Sequence, residues 1–442
     1  MRYRTLTLLA GGVLAAVSCT DGSPVGLGPA TPARTGVVTI PASGPWAKVV
    51  QGETGPGSLY ALYIPQNWNR QAIYFAHGIR LPVPYEPISL DNNQNDFFAV
   101  RDALGARGYA FAYSSFSENG LAVKDGAQRT HQLRGLLESE LQDQPERNYL
   151  VGYSLGALVA LELGERFPTQ YDGVLAMCGM VGGTPRELTY VGDVRALFDY
   201  YYPGVLPGTV ISVPSTPLTQ DELTARVIGA LSASPTAAFG MFAIASTAQT
   251  PLAYIPNWAP TTGGIESSLA FRTMAQSLIT ALFYQNIGIG DVVARTHGHS
   301  PYDNRNTVYT MGTPAVPPLP GLSGVIASMV AGSQNPPPGR TGVARYDITP
   351  DALNYLQRNY LPTGNLQIPV VSVHNYLDPL VPFFHEAAFA QVAAGSGMLL
   401  QRGVPNYGHC TFSPSQALSN ALVVDSFQTL VDWVTTGDKP TS

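Results

Sequence analysis

Charged side chains are scarce in this chain. Asp, Glu, Lys and Arg make up only 12% of its 442 residues, the formal net charge is −6, and lysine occurs only at Lys48, Lys124 and Lys439. A protein that binds nucleic acid presents a basic stripe to the phosphates, and this sequence has none. We therefore expect no nucleic acid partner.

The N-terminal apolar run is too short to serve as a stable membrane anchor. Residues 6–17 follow a short positively charged start and precede Ser18 and Cys19, a pattern typical of an export signal. It resembles a bacterial lipoprotein signal over residues 1–18, cut before Cys19, whose thiol would then carry lipid. Ala16 stands where that pattern prefers leucine, so plain secretion with cleavage nearby stays open.

A G-x-S-x-G motif places Ser154 between Gly152 and Gly156. Residues 149–151 before it predict a buried strand, and residues 155–163 after it predict a helix. A serine presented above a sheet sits on a tight strand-to-helix turn, where side chains two residues away on either side would collide. The positive end of the helix favours an oxyanion there. An ordinary glycine turn would give the same string, but the flanking strand and helix favour a nucleophile elbow.

Two later loops carry the groups that activate such a serine. Residues 367–373 predict a strand followed by HNYLDPLVP with Asp378, and residues 397–402 predict the last strand, followed by GVPNYGHCTF with His409. Serine, acid and histidine in this chain order are typical of α/β-hydrolases. His409 is predicted to take the proton of Ser154 and return it to the leaving group, while Asp378 orients the imidazole.

The four motifs AHGIR, GYSLG, NYLDPLVP and YGHCTF together resemble the α/β-hydrolase superfamily, in its secreted esterase branch. This resemblance implies an α/β fold with a mostly parallel sheet of about eight strands flanked by helices, and acyl transfer through an acyl-enzyme. It also implies an oxyanion hole formed by the backbone amides of Ile79 and Leu155, with Gly78 as the alternative to Ile79. It implies no cofactor and no metal.

The expected domain order is a flexible tether at residues 19–36, a catalytic domain at 37–181 and 366–442, and a mainly helical cap at 182–365. The cap interrupts the fold after the sixth expected strand, where a single helix usually suffices. Its predicted helices are residues 223–232 with a capping box at Thr219 and Glu222, residues 351–360 after Thr349 and Pro350, and residues 265–284. Its aromatic residues, such as Phe198, Tyr202, Phe242, Tyr254 and Trp258, fit a substrate pocket or the cap's own core, and the core is favoured for each one.

Three cysteines are present, and lipid on Cys19 would leave Cys178 and Cys410 as a pair. An even pair in an oxidising compartment favours a disulfide bond. Cys178 follows the strand beside the nucleophile strand and Cys410 follows His409, so both lie near the same edge of the sheet. Two separate buried thiols remain the alternative.

The remaining histidines are interpreted as structural. His297, His299 and Asp303 in THGHSPYDN superficially suggest a metal site, but such a polar loop more often holds turn and hydrogen-bonding residues, and no metal is predicted. His131, His374 and His385 are likewise assigned structural roles.

The sequence therefore predicts an exported carboxylic ester hydrolase acting on a small-molecule or polymeric ester, either held at the membrane by N-terminal lipid or secreted. A serine aminopeptidase on the same fold would need cap carboxylates to hold a substrate ammonium, and the cap's acids are scattered. A catalytically silent lipid-anchored binding protein would have no need for a complete triad. The natural ester and the oligomeric state stay open.

Overall fold

The computed structural model describes residues 34–55, 57–82, 85–90, 95–214, 218–234, 236–252, 269–312, 323–336, 338–339 and 341–441. The predicted signal, Cys19 and most of the predicted tether lie outside these residues, as do Tyr254 and Trp258.

One nine-stranded sheet organises the chain, in the order β1-β2-β3-β5-β4-β6-β7-β8-β9. The strands are β1 (Arg34–Ile40), β2 (Trp46–Thr54), β3 (Leu59–Pro65), β4 (Gln71–Ala76), β5 (Ala110–Ser114), β6 (Arg147–Tyr153), β7 (Gly173–Met177), β8 (Val370–Leu377) and β9 (Leu399–Tyr407). The pairs β1–β2, β2–β3 and β3–β5 are antiparallel. The pairs β5–β4, β4–β6, β6–β7, β7–β8 and β8–β9 are parallel.

The mostly parallel sheet agrees with the prediction, but it has nine strands where about eight were expected. The additional strand is β1, which pairs antiparallel with β2 and begins at Arg34. Residues 34–36, assigned to the tether from their composition, therefore belong to the sheet. Consequently the long insertion follows the seventh strand here, not the sixth.

Helices cover both faces of the sheet. Five helices lie outside the insertion in the described part of the chain. They are α1 (Asn95–Gly105), α2 (Val123–Leu141), α3 (Leu155–Arg166), α10 (Phe384–Ala393) and α11 (Gln416–Thr436). Successive residues of a strand point to opposite faces, and Tyr74 packs in the same core as α2 and α3, whereas Phe75 packs with Phe427 of α11. Both faces are therefore buried, as expected for parallel strands.

Six helices lie in the described part of the insertion between β7 and β8. They are α4 (Thr184–Tyr201), α5 (Gln220–Leu231), α6 (Ala237–Ala248), α7 (Leu269–Arg295), α8 (Ser323–Gln334) and α9 (Pro350–Arg358). The capping box of Thr219 and Glu222 at α5 is present, and the Thr349 side chain accepts the Ala352 amide at the start of α9. These two helix starts are confirmed.

The third predicted helix is α7, which runs further than residues 265–284 and ends at Arg295. It is long and apolar enough to cross a membrane, but 67% of its apolar window is buried inside the protein. It packs against α4, α5 and α6, which makes it the core helix of the insertion. Phe198, Tyr202 and Phe242 are also buried in this core, as favoured from the sequence.

Candidate active site

Ser154 occupies the turn between β6 and α3 with φ +56° and ψ −124°. This left-handed φ is strained for a residue with a side chain. Glycine is required on both sides, because a Cβ on Gly152 would overlap the carbonyl group of Gly156, and a Cβ on Gly156 would overlap the carbonyl group of Ala76. The Ser154 amide donates to the Met177 carbonyl at 2.9 Å, which fixes the turn to β7.

The loop after β4 packs directly against this serine. A Cβ on Gly78 would lie 3.2 Å from the Ser154 Cβ and 2.9 Å from the Tyr153 ring. Leu155 is the first residue of α3, so its amide belongs to the helix end that lacks intrahelical acceptors. The two backbone segments predicted for an oxyanion hole thus flank Ser154, and the choice of the Ile79 and Leu155 amides stays a prediction.

His77 is positioned to support that loop. Its ring is buried and stacks on Phe116 with centroids 3.8 Å apart, and its Nδ1 lies 2.7 Å from the Gly78 carbonyl oxygen. Burial, aided by the charge of Arg80, lowers the pKa of His77 to about 3. A neutral, packed imidazole fits a structural role.

Asp378 and His409 meet at the carboxyl ends of β8 and β9. Their closest atoms, His409 Nδ1 and Asp378 Oδ2, are 2.7 Å apart. The other oxygen, Oδ1, accepts the amides of Leu380 at 2.9 Å and Val381 at 3.0 Å. Burial opposes ionisation, but the charge of His409 and hydrogen bonds from His374 and His409 hold the pKa of Asp378 below its usual range. The carboxylate is therefore anchored and ionised.

The outer nitrogen of the His409 ring, Nε2, is buried and has no hydrogen-bond partner among the described residues. The His409 side chain as a whole is 20% exposed. With Nδ1 donating to Asp378, Nε2 carries the lone pair and can accept a proton. The ring is thus oriented as a general base.

A disulfide bond joins Cys178 to Cys410, with the two Cα atoms 5.2 Å apart. Cys178 directly follows Met177, which pairs with Tyr153 in the neighbouring strand. The bond therefore holds the residue next to His409 against the end of β7, which pairs with β6, the strand before Ser154. Serine, acid and histidine all follow strands at one edge of a mostly parallel sheet covered by helices. The chain has the α/β-hydrolase fold.

No separate cluster of metal ligands exists among the residues that the structure describes. The one group of three candidate ligand atoms is Cys178, His409 and Cys410, and both sulfur atoms are in the disulfide. In the THGHSPYDN loop, His299 pairs with Asp351 and Asp303 pairs with Arg305. These side chains are therefore engaged separately.

The insertion contacts the loop of the predicted acid and the end of the strand before the predicted base. The Tyr190 hydroxyl of α4 donates to the Pro379 carbonyl at 2.7 Å, and the hydroxyls of Ser277 on α7 and Tyr407 are 2.8 Å apart. Ser154 itself is only 4% exposed. The nucleophile candidate is thus covered in this conformation.

A cavity of about 140 Å³ lies beside His409. Its wall is mixed: Phe97, Tyr153, Met177 and Phe412 are among the apolar and aromatic lining residues, and Thr411, Gln416, Ser419 and Asn420 are among the polar ones. A space of this size accommodates a small group next to the histidine.

One residue of the site was not identified from the sequence. His374, interpreted as structural, is fully buried and places its Nε2 3.4 Å from Asp378 Oδ2. Its Nδ1 lies 3.0 Å from Glu386 Oε1. The only signal in the sequence is a histidine four residues before the acid, in HNYLD.

No protein-family model and no curated protein matches this chain. Among solved structures, it is similar to LipA of Xanthomonas oryzae, a rice cell wall degrading esterase, with 13% identity, a TM-score of 0.44, and 91% of this chain and 99% of that chain covered. It is also similar to Candida antarctica lipase A, with 12% identity, a TM-score of 0.46, and 93% of this chain and 84% of that chain covered. For feruloyl esterase B of Aspergillus oryzae the identity is 12% and the TM-score 0.43, with 92% of this chain and 88% of that chain covered. Likenesses this distant name no substrate for this chain.

Proposed function

We propose that this chain is a serine hydrolase that cleaves carboxylic esters through an acyl-enzyme intermediate. The observation that carries the proposal is the His409 ring, held by Asp378 at 2.7 Å through Nδ1 while its buried Nε2 has no partner among the described residues. Ser154, on a strained elbow at the same sheet edge, supplies the nucleophile for that base.

In this mechanism the Ser154 hydroxyl attacks the ester carbonyl while His409 Nε2 removes its proton. The resulting oxyanion accepts hydrogen bonds from the amides of Leu155 and Ile79, or Gly78 in place of Ile79, each contributing about 3 kcal/mol of transition-state stabilisation. His409 then gives the proton to the departing alcohol. Water attacks the acyl-serine by the same route in reverse and releases the acid.

Asp378 accepts the Nδ1 hydrogen throughout and stabilises the imidazolium as it forms. Its own orientation comes from the two backbone amides on Oδ1. Because it is anchored on both oxygens, little reorganisation is needed when His409 becomes charged.

Residues 182–365 are proposed to act as a cap over this site. Support comes from the contacts of Tyr190 with Pro379 and of Ser277 with Tyr407, which join the insertion to the loop of the acid and to the end of the strand before the base. The substrate is a small-molecule or polymeric ester that reaches Ser154 when these contacts open.

The nucleophile is tested with a fluorophosphonate probe and with p-nitrophenyl esters of increasing acyl length beside aminoacyl anilides. Ser154→Ala should lose labelling and several orders of magnitude in turnover, whereas Ser328→Ala, on the exposed part of α8, should keep both. Full activity in Ser154→Ala would contradict the mechanism. Faster cleavage of the anilides than of every ester would make the chain a peptidase.

Export with a lipid anchor at Cys19 is proposed from the N-terminal pattern. The disulfide between Cys178 and Cys410 fits the oxidising environment that export provides. Cys19→Ser should abolish incorporation of labelled palmitate and release the protein from membranes, because acyl chains hold it there. Palmitate entering the variant would contradict the lipoprotein assignment.

A further inference from the structure

We propose that His374 is a positioning residue of this site, a buried second imidazolium that shares Asp378 with His409 and sets the pH at which His409 becomes a base. The inference rests on the proposed function, in which His409 is that base.

The location of His374 is fully enclosed. It lies on β8 with no exposed surface, and Nε2 is 2.7 Å from the Val381 carbonyl oxygen and 3.4 Å from Asp378 Oδ2. Nδ1 is 3.0 Å from Glu386 Oε1. Asp378 therefore has one imidazole on the side of the nucleophile and another on the side of the protein core.

The hydrogen-bond partners require a proton on Nε2 of His374, and an ionised Glu386 places a second proton on Nδ1. A backbone carbonyl can only accept, so Nε2 carries hydrogen. Glu386 Oε2 accepts from Ser372 Oγ at 2.6 Å and from Gln401 Nε2 at 2.5 Å, which leaves Oε1 to accept from Nδ1. Although burial lowers the pKa of His374, its hydrogen bonds to Asp378 and Glu386 and their charges raise it to about 10.

The neighbouring ionisable groups do not replace this charge. His385 accepts the Gly182 amide at Nδ1 and lies 3.1 Å from Glu187 through Nε2. Burial lowers the pKa of His385 well below its usual value, so this ring is neutral near pH 7, and burial raises the pKa of Glu187 well above its usual value. Arg186, whose charge also reaches His385, is exposed and screened by solvent.

Two tyrosines also face the carboxylate of Asp378 electrostatically. Tyr190 and Tyr407 both have a raised pKa, caused first by burial, so their phenols are uncharged in the working range. Among these groups, His374 and His409 are the two that can place a positive charge beside Asp378.

A permanent cation at His374 opposes a second proton on His409, because both positive charges would act on one carboxylate. His409 is therefore neutral, and ready to accept the serine proton, at a lower pH than it would be beside Asp378 alone. Without His374, the negative charge of Asp378 interacts with His409 alone. His409 then keeps its proton to higher pH.

The test is the pH dependence of kcat/KM for wild type and His374→Gln. We expect the acid limb of the variant to move upward by about one pH unit, the size expected for losing a buried charge a few ångströms away. His131→Gln is the control, since His131 is a partly buried histidine that stacks on Phe167, at the far end of α3 from Ser154. Its profile should match wild type. A limb that stays in place or moves downward in His374→Gln overturns the proposal.

A second measurement does not depend on the variant folding or on turnover. In wild-type protein labelled with ¹⁵N-histidine, the His374 ring should show two protonated nitrogens across neutral pH, and a neutral ring there overturns the proposal. Turnover that survives in Ser154→Ala would instead defeat the proposed function. A Ser154-dependent reaction with an unshifted acid limb in His374→Gln would defeat only the role of His374.

Discussion

Loss of the disulfide between Cys178 and Cys410 should destabilise the fold strongly. The bond closes a segment with a sequence separation of 232 residues, which includes the whole insertion and the strands β8 and β9 that precede Asp378 and His409. The chain-entropy relation for a loop of this length gives an upper value of about 5 kcal/mol. This is comparable with the total stability of many domains.

The measurement is urea unfolding of wild type, Cys178→Ala, Cys410→Ala and the double variant. Because either substitution removes the same bond, each single variant should lose nearly as much stability as the double variant. Esterase turnover should fall as well, since the loop of His409 loses its attachment beside β7. Losses that simply add in the double variant would contradict a shared bond, and so would full alkylation of both cysteines after denaturation without reductant.

Two further predictions concern the elbow and the acid. Asp378→Asn should remain folded, because its Oδ1 still accepts two backbone amides, yet turnover should fall roughly 10⁴-fold as the wrong imidazole tautomer is favoured; near wild-type turnover would assign the carboxylate elsewhere. Gly156→Ala should abolish folded, active protein because its Cβ would overlap the Ala76 carbonyl, whereas Gly135→Ala on α2, with open space around it, should be neutral or stabilising by up to about 1 kcal/mol in urea unfolding. Equal behaviour of the two alanine variants would show that the elbow is not sterically restricted.

The parts of the site that could be predicted from sequence are those controlled by local chain geometry. Gly152 and Gly156 are needed by a single turn, and the Thr349 side chain caps a helix by accepting the amide three residues ahead. The sequence near each position therefore contains the whole signal. The motif order then placed Asp378 and His409 at the same sheet edge, where the structure brings their side chains together.

The parts that were missed depend on distant partners. The role of His374 requires Glu386 from α10 and the turn at Val381 to surround it, and no local pattern reports such packing. The strand β1 was missed because its start has a tether-like composition and becomes a strand only by pairing with β2. The helix α7 continues through Gly288 and Gly290, although glycine commonly ends helices. A Cβ at these positions would lie 3.3 Å from Leu188 and 3.2 Å from Val213, so distant residues pack closely against both glycines.

The position of the disulfide also has a consequence for survival in a protease-rich environment. Ser154 lies on one side of Cys178 in the sequence, whereas Asp378 lies inside the covalent loop and His409 lies at its far end beside Cys410. A single proteolytic cut in the insertion would place Ser154 on one polypeptide, and Asp378 and His409 on the other. The two polypeptides would remain one covalent molecule, joined next to His409, so the cut protein would keep its two parts together at this edge of the sheet until the bond was reduced.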